Sequence, residues 1–585
     1  MQVKSKNIKS LSIIIIFAIF FLSPQIFQRS LIVANDWLFH MNRYYETSMQ
    51  IQTGHYNYFQ SLFGFNQSGR IINAMYGADF AYFAGAILSL VKSWFHFQLI
   101  LNFLCFFSAG FSMYLLAKSA RISENVSLFC GIIYMVTPLV IWWSTTQGFT
   151  GVGAAFLPFA FIPAVKMVQN PRNPIQPLLF GGVIALLLSI HVFTAFLAVI
   201  AIIPFFCIGF YRAQNKIVML INAMLAVIIA ICLSMNTFVA MLEVQSNTLI
   251  MPLVARDLYG GGTFLSTGAM DYNNFGLILS TLFLIQLVVT ISQWKELTTL
   301  EKVINVTGLL FLIVSSKYFP WNHLTDWFPS LLSIQFLRRL ASIPLVLLVL
   351  GFGITIDRGI QMVKNIHFKK ASLISLSVIA LLSTTNGWQL IENQARRWNS
   401  SEPLSGDTRA AEILEDDENK VRAALSDSDL SKAFTVSQKP TSDYLPTNTN
   451  LQNGYSAYSK EILHNDLNLN KEVTAKSELK LTWDSNQSDE ENILLPVIIY
   501  NNSYVELNGE MLSSEDYTLS EIGSLILSNN HQKNTVIVGY QPSTLFSISL
   551  FIKFISIALV VIYLLYQLFK KLKKTSKAKN KRTRS

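Results

Sequence analysis

Asp36, His40 and Arg43 stand in the run Asn35-Asp36-Trp37-Leu38-Phe39-His40-Met41-Asn42-Arg43, just past the first apolar stretch. Their i, i+4 and i+7 spacing puts an acid, an imidazole and a guanidinium on one face of a helix. Such groups can together accept a proton and hold a phosphate. The spacing equally fits a helix capped by Asn35 or Asp36, with two interfacial polar neighbours.

Three other segments carry candidate chemistry. Tyr76-Gly77-Ala78-Asp79 opens an apolar helix, so Asp79 is either a second carboxylate or a first-turn acid favoured by the helix dipole. His191 interrupts the long apolar run from Ile175 to Phe210 and either packs or faces a cavity. Gln335-Phe336-Leu337-Arg338-Arg339 places two arginines at the mouth of a span. Binding an anionic headgroup or phosphate explains that placement; pairing with acids of a neighbouring region also does. Glu243, Arg256, Asp257, His323 and Asp326 add charge nearby without an assigned role.

The elements that position these groups are membrane spans. Half of the chain is hydrophobic (51%) against 14% charged residues, which excludes an ordinary soluble globule. Spans are expected near 11–27, 97–117, 125–143, 151–168, 176–190, 192–211, 217–237, 275–293, 303–316, 340–357, 371–387 and 546–569, about twelve in all. The run 76–91 is read as a helix lying along the outer surface. If it crossed instead, Lys118 and Arg121 would fall outside and every later loop would invert. With it on the surface, Lys166/Arg172, Arg212/Lys216, Lys295/Lys302 and Arg358/Lys364/Lys369/Lys370 all fall inside. Lys4, Lys6 and Lys9 place the N-terminus inside too, ahead of a retained anchor. Lys553, near the outer end of the last span, is the exception; snorkelling would accommodate it.

The expected organisation is a transmembrane region at 1–387 with an outer loop at 29–96, then an outer region at 388–545. A last span at 546–569 and a basic cytoplasmic tail at 570–585 follow. The 388–545 region opens acidic and turns strand-like at 495–500, 504–507, 525–527 and 535–538, with Asn508-Gly509 as a hairpin turn. The net charge of +10 gathers in the tail and suits anionic lipid rather than nucleic acid. Cys105, Cys130, Cys207 and Cys232 all lie in apolar runs, as packing residues rather than disulfides or metal ligands. No GxGxxG, Walker, HExxH, GxSxG or paired-cysteine zinc pattern occurs. Ile, Lys and Asn usage and the cysteine-free outer region fit a low-GC bacterium and its plasma membrane.

The order of these motifs resembles the GT-C membrane glycosyltransferases. Within them it is similar to the YfhO-like and "6-pyruvoyl-tetrahydropterin synthase-related" bacterial membrane proteins. The matching pieces are Asp36-x-x-x-His40-x-x-Arg43, the Tyr76 helix, Thr137-Pro138, Gly148 to Pro158 with Phe159, His191 before Thr194, and Gln335-Phe336-x-Arg338. The strand segments Leu495-Pro496 through Asn508-Gly509 and Val538-Gly539-Tyr540 complete the series. The resemblance implies transfer of a sugar from a polyprenyl-phosphate donor to a cell-surface polymer or glycolipid. Asp36 would be the general base and Arg338 or Arg339 the phosphate holder. His40, Arg43, Tyr76, Asp79, His191 and Gln335 would line the substrate cavity. Some members use a divalent metal, but this sequence shows no clear ligand set. Relatives carry Arg-Gly and a Glu where this chain reads Gln147-Gly148-Phe149-Thr150-Gly151-Val152. That departure leaves open another substrate or a non-catalytic scaffold or transporter. A receptor-like protein working through 388–545 is a third reading.

Overall fold

A computed structural model describes residues 2–34, 36–251, 257–404, 411–447, 454–484, 492–528 and 533–582. Asn35 and Arg256 lie outside the described residues. Among the described residues, eight helices are long and apolar enough to cross a membrane, or nine if the bent pair Glu124–Met135 and Pro138–Thr146 is one span. The chain is thus a multi-pass membrane protein. Three further expected spans are the helices Pro177–Ile190, Gly276–Ser292 and Thr299–Val314, of 14, 17 and 16 residues. Each is shorter than the roughly 20 residues of a typical span.

Local sequence sets the helix ends. The Asn215 side chain accepts the Val218 N–H at the head of Lys216–Val244. Thr298 and Glu301 form a reciprocal capping box on Thr299–Val314. His191 ends Pro177–Ile190 and begins Val192–Arg212, so the break expected in the 175–210 run falls there. Thr137-Pro138 marks the bend of 43° in the broken pair. Helices approach closely where side chains vanish: a Cβ on Gly131 would lie 2.7 Å from the Gly110 carbonyl.

Contacts define two faces of the bundle. On one, Ser10 and Lys118 both reach Glu124, and Ala120, Gln169, Arg212, Glu296, Glu301 and Arg358 line one crevice. The basic loops expected to share a side therefore converge. On the other, Gln25 and the Ile32 backbone both bond Gln98, and Gln28 bonds Glu392. Residues 29–93 accordingly leave and return on this second face. The helix Ala78–Val91, of 14 residues, packs along Trp37–Thr53 there.

The β-rich region also sits on this second face. Its five-stranded antiparallel sheet joins Asn470–Val473, Leu479–Asp484, Lys533–Tyr540, Ser503–Leu507 and Glu510–Leu512 in that order. A three-stranded sheet joins Asn492–Ile498, Ser524–Ser528 and Thr518–Leu519. Alternating residues Leu479, Leu481 and Trp483 meet Val536 and Val538 in one apolar cluster. Asn508 (φ 53°) and Gly509 (φ 91°) make the left-handed turn that pairs Leu507 with Glu510. The region is tied to the membrane helices by Glu243, which accepts from Asn502, Tyr540 and Ser543.

Candidate functional site

Asp36 is the N-cap of helix Trp37–Thr53, not a member of it, and its side chain makes no capping bond. The carboxylate turns away from the helix axis, half exposed, to the Lys439 ammonium at 3.2 Å. His40 and Arg43 turn inward instead and are buried (3% and 0% exposed). The three residues therefore share a segment but differ in burial. The capping position frees Asp36 from helical geometry, and this separates it from the other two.

His40 and Arg43 form a unit. Arg43 Nη1 lies 3.1 Å from His40 Nδ1. A guanidinium only donates, so Nδ1 accepts, and the ring's other N–H faces the Gln147 carbonyl. His40 is held neutral: burial, then the Arg43 cation, push its pKa well below the usual histidine value. Arg43 also donates to Asn73 Oδ1 at 3.0 Å and to the Tyr76 carbonyl at 2.8 Å. Its guanidinium lies over the rings of Tyr76 and Phe149, at 4.8 and 5.1 Å.

Phe149 is the hub that the missing charges at 147–152 conceal. Its ring packs against His40, Tyr76 and His191, with centroids 5.2, 5.7 and 5.7 Å away. His191 caps the helix after it, with Nδ1 taking the Thr194 N–H at 3.3 Å and 2.7 Å from Thr194 Oγ1. Burial and the Arg339 and Arg43 charges lower its pKa to about 3. The approach is tight: a Cβ on Gly153 would sit 2.6 Å from Thr194 Oγ1.

The two arginines close the other side. Gln335 (φ 63°, ψ −55°) bends the chain so that Phe336 N–H reaches the Ile334 carbonyl at 2.7 Å. This rare three-residue turn stores strain directly before Arg338. Arg338 lies over the rings of Trp142 and Phe336, at 4.5 and 4.2 Å, and donates to Asn273 Oδ1 at 3.1 Å. Arg339 donates to the Ile334 carbonyl at 3.4 Å. The Nε of each is buried without a protein partner. Among the described residues, no acid forms an ion pair with Arg43, Arg338 or Arg339. The expected alternative, pairing of the arginine couple with acids of the outer region, is thus absent there.

Electrostatic reach brings the parts into one neighbourhood, which we call the cleft. Asp36 acts on Tyr76 and Arg338, and Arg339 acts on Tyr76 and His191. Asp36, Tyr76, His191, Arg338 and Arg339 all remain half-buried. Asp79 stands apart, since its carboxylate meets Lys553 on the last helix. That contact also accounts for the lysine that broke the charge pattern. Sequence reasoning missed Phe149 and Lys439. Phe149 lay inside a segment already flagged, but nothing local marked Lys439. Among the described residues no group of three His, Cys, Asp or Glu side chains could hold a metal ion.

The geometry defines a multi-pass membrane protein with an arginine-rich cleft on the face that carries its β-rich region. No family model and no curated protein matches the sequence. Among solved structures, the chain is similar to the apo oligosaccharyltransferase of Archaeoglobus fulgidus, with 11% identity and a TM-score of 0.40. The match covers 66% of this chain and 56% of that one, so it spans little more than half of the archaeal protein.

Proposed function

We propose that the protein is a membrane glycosyltransferase of GT-C-like build. It moves a sugar from a polyprenyl-phosphate donor to a cell-surface polymer or glycolipid on the outer face of a bacterial plasma membrane. Both termini are cytoplasmic in this reading. The observation that carries it is the placing of arginines that, among the described residues, have no acid partner near a half-exposed carboxylate. In the reaction the acceptor hydroxyl oxygen bonds the anomeric carbon while the carbon–oxygen bond to phosphate breaks. The phosphate leaves with the electron pair, and Arg338 and Arg339 stabilise the charge it gains. The hydroxyl proton passes to Asp36 late in bond formation. His40, Arg43, Tyr76, His191 and Gln335 shape the cavity. Asp79, engaged by Lys553, holds a helix rather than a substrate.

A second reading is favoured by one contact. Lys439 already neutralises Asp36, and residues 147–152 bring no charge, as suits a non-enzymatic carrier of lipid-linked glycan. The Asp36→Asn variant separates the two. A transferase loses envelope-polymer glycosylation by about a hundredfold or more at unchanged protein level. Wild-type sugar content in that variant, beside a deletion strain that lacks it, would remove Asp36 from the chemistry.

A further inference from the structure

Lys439 reaches the cleft from a different part of the chain. It sits on the segment 437–446 of the outer region, 403 residues from Asp36 in sequence. Pro440 follows it, and the Thr441 N–H closes back on the Lys439 carbonyl at 2.8 Å. Arg70, fully buried, clamps what comes next. Its Nη1 donates to the Thr441 carbonyl at 2.6 Å and to Thr441 Oγ1 at 3.1 Å, and its Nη2 donates to the Asp443 carbonyl at 2.7 Å. The guanidinium lies over Phe65 and Tyr458, at 5.2 and 4.8 Å. The strap is therefore fixed to the outer loop, and the flexible part of Lys439 is its four-carbon stem.

That stem is 12% exposed, while the Asp36 side chain it meets is 48% exposed. The acid is the more exposed partner and the ammonium the more buried one. The Lys439 charge also acts on His40 and Asp443. It thus belongs to the same field as Arg43, Arg338 and Arg339. An anion entering this field meets the Arg338 and Arg339 guanidiniums, which among the described residues have no acid partner, and one ammonium shared with Asp36, with the buried Arg43 charge behind them.

We propose that Lys439 is a further binding residue of the cleft, and that it exchanges Asp36 for the phosphate group of the incoming substrate. The exchange rests on the phosphate reading given above. It gives the outer region a direct part in substrate binding. It also makes Asp36 available as a base only when the anion is in place. No bond forms or breaks in this step; one ion pair replaces another.

Binding of two probes to the detergent-solubilised full chain tests it. The probes are a short isoprenyl monophosphate and inorganic phosphate. Lys439→Met weakens binding about tenfold, the loss expected for one charged hydrogen bond. Lys439→Arg keeps most of the affinity and shows that the strap still folds. Asp36→Asn removes the carboxylate that competes for Lys439 and tightens binding several-fold, and the tightening disappears in Asp36→Asn/Lys439→Met. Unchanged affinity in Asp36→Asn, or tightening that survives without Lys439, overturns the exchange. If Arg338→Gln abolishes binding while Lys439→Met does not, the phosphate reading stands and the exchange falls. If neither probe binds the wild-type chain, both fall. The same cycle with inorganic phosphate indicates a free-anion site; the cycle with the isoprenyl probe alone indicates a lipid-borne phosphate.

Discussion

The Lys553 ammonium of the last span meets the Asp79 carboxylate at the head of helix Ala78–Val91, 474 residues earlier in the chain. Both side chains are largely buried, at 9% and 24% exposure. Losing one partner strands the other charge in a poorly solvated place, whereas losing both removes the problem. Lys553→Met and Asp79→Asn are each expected to lower stability by about 3 kcal/mol, with the double variant recovering much of the loss. Thermal unfolding of the four proteins in one detergent measures it. Additive losses would mean that the two groups do not share an interaction.

The buried imidazole of His40 predicts an acid limb. Its folded pKa lies well below 6.5 because of burial and the Arg43 cation. In the unfolded chain it titrates near 6.5. Below that pH the unfolded state binds a proton that the folded state refuses, so stability falls as pH falls. One such group contributes a slope of up to about 1.4 kcal/mol per pH unit. His191, lowered to about 3, adds to the same limb between roughly 6.5 and that value. His40→Gln should flatten the fall in melting temperature between pH 7.5 and 5. An unchanged slope would show that His40 does not titrate on unfolding.

What the sequence disclosed follows the range of its rules. The break at His191 and the Asn508-Gly509 hairpin depend on neighbours within a few residues, and patterns of that length are readable. The grouping of several basic loops on one face was legible because charge acts on whole loops. The face shared by Asp36, His40 and Arg43 was not, since one residue of difference between cap and helix turned the acid elsewhere. The ion pairs Asp36–Lys439 and Asp79–Lys553 join residues hundreds apart, and no local pattern encodes such meetings. Phe149 shows a different blindness. A search for charge passes over a ring, although that ring orders two histidines and a guanidinium.

The two arginines at the mouth of the span should not be equivalent. The Arg338 guanidinium lies close to the rings of Trp142 and Phe336, at 4.5 and 4.2 Å. Arg339 is farther from its rings, at 5.6 and 5.8 Å from Phe336 and Phe193. A planar guanidinium gains from such ring contact, and its remaining N–H groups stay aimed at one place. Lysine keeps the charge but loses both the ring contact and the fork. Arg338→Lys should therefore weaken isoprenyl monophosphate binding by about tenfold, and Arg339→Lys by less. Charge alone would make the two variants alike. Equal small losses would thus mean that the cleft offers a field but no fixed geometry, and that Arg338 meets its rings for packing rather than recognition.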